Sequence, residues 1–119
     1  MARPRDPALP LVSIITPCRN GELYLPDAIA SVASQDYAGP LEWSVFDDGS
    51  TDASLALLRA AEAPLRARGI ALVLRSSGPG AAASGVGGAC NAAIAACSPA
   101  SGHFCFLDAD DTVGRWAGR

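Results

Sequence analysis

The sequence predicts an α/β protein built on a parallel, doubly wound sheet of about four strands. Three observations carry that prediction: four short apolar runs, intervening segments with apolar residues at helical spacing, and turn formers at nearly every junction. Strict alternation of strand and helix implies right-handed crossovers, so every strand would point its carboxyl end the same way. At 119 residues there is room for one small domain and no second one.

Residues 1–10 form a leader rich in proline and arginine. Leu11–Thr16 is a continuous apolar, β-branched run that suits a strand buried on both faces, and Pro17 is expected to close it. Leu25–Gln35 sets Leu25, Ala28, Ile29 and Val32 at helical spacing, with Pro26 tolerable in the first turn. Leu41–Phe46 reads as the second strand, ended by Asp47-Asp48-Gly49-Ser50. Ser50, Thr51 and Asp52 are candidate N-caps for a helix carrying Leu55, Leu58, Ala61 and Leu65, which Gly69 would stop and Pro64 would end early or kink. Ile70–Leu74 is the third strand. Ser76–Gly88 is so rich in Gly, Ala and Ser that it reads as a flexible loop, followed by a short helix over Ala89–Ala96 and a fourth strand over His103–Leu107.

Composition excludes several classes of function. Half the residues are apolar and 18% are charged, as in a globular protein rather than a disordered one. The net charge is −3, and the nine basic residues, all arginines, are scattered from Arg3 to Arg119 without a run, so nucleic acid is not an expected partner. Cys18, Cys90, Cys97 and Cys105 form no CxxC pair and His103 has no ligand-spaced neighbour, which speaks against zinc. No apolar stretch approaches the roughly 20 residues of a transmembrane helix, and the interrupted N-terminal segment does not read as a signal peptide, so a cytoplasmic protein is expected.

In a sheet of this kind ligands bind outside the carboxyl ends of the strands, near a topological switch point. The polar residues that follow the strands are Arg19-Asn20, Asp47-Asp48, Arg75 and Asp108-Asp110-Asp111, so the acids should converge at one edge. Carboxylates repel phosphate unless a hard divalent cation, Mg²⁺ or Mn²⁺, bridges the two. Asp110 is the metal candidate. Asp108 shares its side of an extended chain, leaving one acid for a nucleoside and one for the metal. Asp47-Asp48-Gly49-Ser50 alone would serve equally well as an ordinary turn.

The run Val12-Ser13-Ile14-Ile15-Thr16-Pro17, then Asn20, then Asp47-Asp48-Gly49-Ser50-Thr51-Asp52, then Phe106-Leu107-Asp108-Ala109-Asp110-Asp111 resembles family 2 glycosyltransferases in order and spacing over residues 11–113. The resemblance implies a GT-A fold binding a nucleotide-sugar donor, most simply a UDP-sugar. Pro17, Arg19, Asn20, Asp48 and Asp108 would then lie on the nucleotide, and Asp110 would hold a divalent cation. It further implies inverting transfer to an acceptor that the sequence leaves unknown, and within the family the β-1,3-N-acetylglucosaminyltransferase-like group is the suggested neighbour. The general base belongs to the family's second half, and residues 114–119 resemble no continuation of the fold. A truncated half domain is therefore expected, with a non-catalytic nucleotide-binding or regulatory fragment as the alternative.

This chain departs from the family pattern in places. Arg19 stands where many relatives place an aromatic against the base, and Cys90 precedes Asn91 where a basic residue is common. Two other motifs compete weakly. Gly78-Pro79-Gly80-Ala81-Ala82-Ala83 fits a dinucleotide fingerprint, but Pro79 removes a donor and no acid closes a second strand roughly 20 residues on. Asp108-Ala109-Asp110-Asp111-Thr112-Val113 resembles a haloacid dehalogenase-type nucleophile motif, yet the chain contains no lysine to complete that chemistry.

Overall fold

The computed structural model describes residues 6–107 apart from residues 79 and 83. The elements run β1 (Leu11–Cys18), α1 (Leu25–Ala33), β2 (Leu41–Asp47), α2 (Ser54–Ala67), β3 (Ile70–Ser76), α3 (Gly85–Ala96) and β4 (Ser101–Phe106). They form the parallel α/β sheet that the alternation predicts, in the order β3-β2-β1-β4. The first three strands step outward in one direction and the chain then crosses back to lay β4 on the other side of β1, so the winding reverses between β1 and β4.

Alternation along the strands divides the interior into two layers. Val12 and Ile14 of β1, Leu41, Trp43 and Val45 of β2 and Ile70 of β3 join Leu25 and Val32 of α1 and Leu58, Ala61 and Leu65 of α2 in one apolar cluster. Trp43 is fully buried there, and its indole N–H donates to Thr16 Oγ1 at 2.8 Å, so the ring brings no unpaired donor into the core. The intervening residues face α3, whose buried Ala89 and Ala93 let its backbone approach closely enough for Ser44 Oγ to donate to the Ala93 carbonyl at 2.6 Å. Among the described residues no helix is long and apolar enough to cross a membrane.

Boundaries differ from the sequence reading where tertiary context outweighs a local signal. Pro17 does not close β1, which continues to Cys18 and pairs Pro17 with Phe46. The Ile15 carbonyl points toward β4 and accepts the Leu107 N–H at 2.9 Å; Pro17, two residues on, presents the same side after the described pairing with β4 has ended. Its missing N–H costs the ladder nothing. Pro64 does not end α2 either, because Leu65 just beyond it is buried beside Leu58 and Ala61, and burial of that face carries the helix to Ala67. Gly69 does stop the chain there, at φ +78° with its N–H on the Arg66 carbonyl. The expected loop Ser76–Gly88 is shorter than read, since α3 already begins at Gly85.

One buried carboxylate ties the two ends of this topology together. Glu42, on the α3 side of β2, accepts the Ser13 hydroxyl at 2.6 Å and the Ser98 N–H at 3.1 and 3.2 Å, thereby joining β2, β1 and the link from α3 to β4. Ser13 Oγ also lies 2.7 Å from Ser101 Oγ at the start of β4. Glu42→Ala should leave the Ser98 N–H without its charged acceptor and lower stability by roughly 2–3 kcal/mol. Urea unfolding would measure this, with the amide protons of β4 losing exchange protection first.

Candidate functional site

The three loops that follow β1, β2 and β3 meet at the carboxyl edge of the sheet, where side chains from one loop satisfy the backbone of another. Asn20 sits at φ +50°, a left-handed conformation that asparagine tolerates. Its N–H donates to Ser50 Oγ at 2.8 Å and its Oδ1 accepts the Thr51 N–H at 2.9 Å. The Gly21 N–H donates to Ser54 Oγ at 2.8 Å, and Asp52 accepts both the Glu22 N–H at 3.2 Å and the Ser54 N–H at 2.9 Å. Of the three N-cap candidates, Asp52 is thus the one that serves the start of α2, while Ser50 turns toward Asn20.

Asp47 and Asp48 are adjacent but face opposite sides of the strand end. Asp47 is 1% exposed; Oδ2 accepts the Ser76 hydroxyl at 3.2 Å and Oδ1 is buried without a hydrogen-bond partner. Beside it, burial pushes the Cys18 thiol up, with the Asp47 charge adding to the effect, so Cys18 is an inert thiol rather than a nucleophile. Asp48 turns toward α3. Its carboxylate accepts the Ser84 N–H at 3.0 Å on both oxygens and the Ser84 hydroxyl at 3.0 Å on Oδ1.

Ser84 is the N-cap residue of α3, so Asp48 is an acidic cap supplied from across the sheet. This explains why the helix starts at Gly85 despite three glycines in its first turn. The Ser84 N–H, with the Ser84 hydroxyl, the Gly85 N–H and the charge of Arg19, holds the Asp48 carboxyl below its ordinary range against the opposing effect of desolvation.

Arg19 is exposed, and its Nη1 donates to the Asp48 carbonyl at 2.5 Å and the Ala81 carbonyl at 3.4 Å. Gly49 lies between them at φ +83°, where an added Cβ would sit 2.4 Å from the Ala81 carbonyl oxygen. The segment after β3 therefore folds down over Asp48 and Gly49. Pro17 is half-buried near the end of β1. Pro17, Arg19, Asn20 and Asp48 are brought to one edge; Asp108 and Asp110 lie outside the described residues. Among the described residues no group of three or more His, Cys, Asp or Glu side chains could hold a metal ion.

This edge, with its winding reversal between β1 and β4, can be set beside known proteins. The family described as Glycosyl transferase family 2 matches residues 13–115. The chain belongs to that family. Among curated relatives, an N-acetylglucosaminyltransferase of Bradyrhizobium elkanii is 50% identical over 48 residues, 40% of this chain and 26% of that protein. An uncharacterized glycosyltransferase of Haemophilus influenzae is 44% identical over 50 residues, 42% of this chain and 20% of the relative. Among solved structures, S. aureus TarS 1-349 in complex with UDP superimposes with a TM-score of 0.69 at 28% identity, covering 87% of this chain and 28% of TarS 1-349. The same protein in complex with UDP-GlcNAc gives 0.67 at 27% identity over 90% of this chain and 28% of TarS 1-349. The family 2 chain described here thus spans about a quarter of the length of the relatives it matches.

The sequence singles out Asp48, Arg19 and Asn20, which the structure brings to one edge, but not Ser84, because a serine in a Gly/Ala-rich stretch carries no local sign of a partner 36 residues away. A carboxyl whose folded pKa is depressed contributes stability above its unfolded pKa, and that contribution is lost as pH falls through the lower folded value. Carboxyl-detected NMR should therefore find Asp48 titrating below the ordinary aspartate range, with exchange protection at the start of α3 lost in the same acidic window, and Ser84→Gly moving the midpoint upward. Gly49→Ala should cost about 1–3 kcal/mol from its left-handed φ, measurable by thermal unfolding, and should displace the Ala81 segment.

Proposed function

We propose that this chain is the donor-binding part of a nucleotide-sugar glycosyltransferase and that its donor is a UDP-sugar. The observation that supports this most is the agreement of two independent facts. The switch-point edge carries Asp48, Arg19 and Asn20. A fold matching TarS in its UDP and UDP-GlcNAc complexes covers 87% and 90% of the chain. The N-acetylglucosaminyltransferase relatives favour an N-acetylhexosamine as the sugar.

In this reading Pro17 and Arg19 border the nucleobase, Asn20 braces the loop that carries them, and Asp48 and Asp108 receive nucleoside donors. Asp48 already accepts from Ser84, so a nucleoside N–H would share or replace that bond, coupling donor entry to the start of α3. Arg19 offers a guanidinium plane where relatives have a ring, at the cost of a hydrogen bond to the Ala81 carbonyl. The proposed metal, Mg²⁺ or Mn²⁺, would offset charge on the leaving diphosphate. Asp47 and Asp48 do not fit as its ligands, one being buried and the other engaged as a helix cap, so Asp110 remains the proposed ligand. Transfer would be inverting, with the acceptor hydroxyl deprotonated by a carboxylate outside these residues. A cytoplasmic location remains part of the proposal, in keeping with four free cysteines.

Thermal unfolding of the chain with UDP, with Mn²⁺ and with both provides the test. Ligand at a hundred times its Kd should raise stability by about 2.7 kcal/mol. The pair should act together, Asp48→Ala should weaken the response to UDP, and Asp110→Ala should remove only the metal dependence. A transition that moves with neither UDP nor the pair would overturn the proposal.

A further inference from the structure

Arginines that look scattered along the chain are gathered by the fold. Between Ser54 and Ser76 the sequence holds Arg59, Arg66, Arg68 and Arg75 against one acid, Glu62; four positive charges less one negative leave a local +3 in a chain of net charge −3. This stretch is α2 and the strand it packs on, β3, which is an edge of the sheet among the described residues. A cleft of about 240 Å³ opens between them, lined by Arg59, Glu62, Leu72, Leu74 and Arg75. Its apolar members, Leu72 and Leu74, are only half-buried, and both arginines are exposed.

The charges in the cleft are not matched internally. Glu62 is engaged one helical turn along by Arg66, whose Nη2 lies 3.1 Å from Glu62 Oε2. Among the described residues no carboxylate pairs with Arg59. Arg75 folds back along that edge, its Nη1 donating to the Leu74 carbonyl at 3.0 Å. Two guanidiniums from different elements thus border one cleft that Leu72 and Leu74 also line, and guanidinium forks suit the geometry of a phosphate.

We propose that the cleft between α2 and β3 is an anion site for a phosphate carried on an apolar group, with Arg59 and Arg75 on the phosphate and Leu72 and Leu74 under the apolar part. It is separate from the edge that carries Asp48 and does not depend on the donor reading. The chemistry is shared by lipid headgroups and soluble phosphates, and the test separates the two.

An amide NMR titration of the full chain with dodecyl phosphate, below the concentration at which it forms micelles, should shift Arg59–Glu62 and Leu72–Arg75 saturably. Arg59→Gln and Arg75→Gln should each weaken binding about ten-fold, and unchanged β1 amides would verify that the variants fold. Inorganic phosphate should move the same amides more weakly; equal affinity would overturn the apolar half of the site and assign it to free phosphate. No shift at these amides, an unchanged Kd in the double variant, or an equal response to dodecyltrimethylammonium would overturn the proposal.

Discussion

β1 is hydrogen-bonded on both sides, and most of this molecule follows from that pairing. A parallel strand with partners on either side must be covered on both faces, so α1 and α2 lie on one and α3 on the other. Reaching the second partner requires the chain to reverse its winding, and the reversal places a crevice at the carboxyl end of β1. Pro17 can occupy that end because the side it leaves without a donor has already run past the described pairing with β4.

Three carboxylates near this framework show how environment separates residues of similar chemistry. Glu42 is buried and accepts from Ser13 and Ser98, so it acts as a structural clamp. Asp47 is buried beside Cys18 with one oxygen unpartnered, a cost that a polar group in the interior bears only where packing over-determines its position. Asp48, one residue away, caps α3 and is held ionised by that cap. The same carboxylate is proposed to meet the nucleoside. Helix start and donor site would then compete for one group, and the hydrogen bonds of the segment over Gly49 would become part of the binding process.

Much of the fold was legible because the strands are short segments rich in apolar, β-branched and aromatic residues, as Leu11–Thr16 and Leu41–Phe46 are. Helical spacing at Leu25, Ala28 and Val32, and again at Leu58, Ala61 and Leu65, marked the faces that are buried. The errors fell where a local breaker met a distant partner. Pro64 lost to burial of Leu65, and the Gly/Ala loop lost its last residues to a helix whose cap comes from Asp48. The arginines looked scattered because a linear scan has no account of which helix lies against which edge strand.

The sequence by itself determined the element order, the parallel class and the identity of the polar residues at the strand ends, since each rests on periodicity, turn chemistry and the direction of right-handed crossovers. Only the tertiary structure decided which of those polar residues are already committed. Asp48 is bound to Ser84, Asn20 to Thr51 and Ser50, and Asp47 is turned into the interior. The physical reason is that hydrogen-bond partners at a sheet edge come from separate loops, and nothing in the local chain of one loop encodes how closely the next will approach.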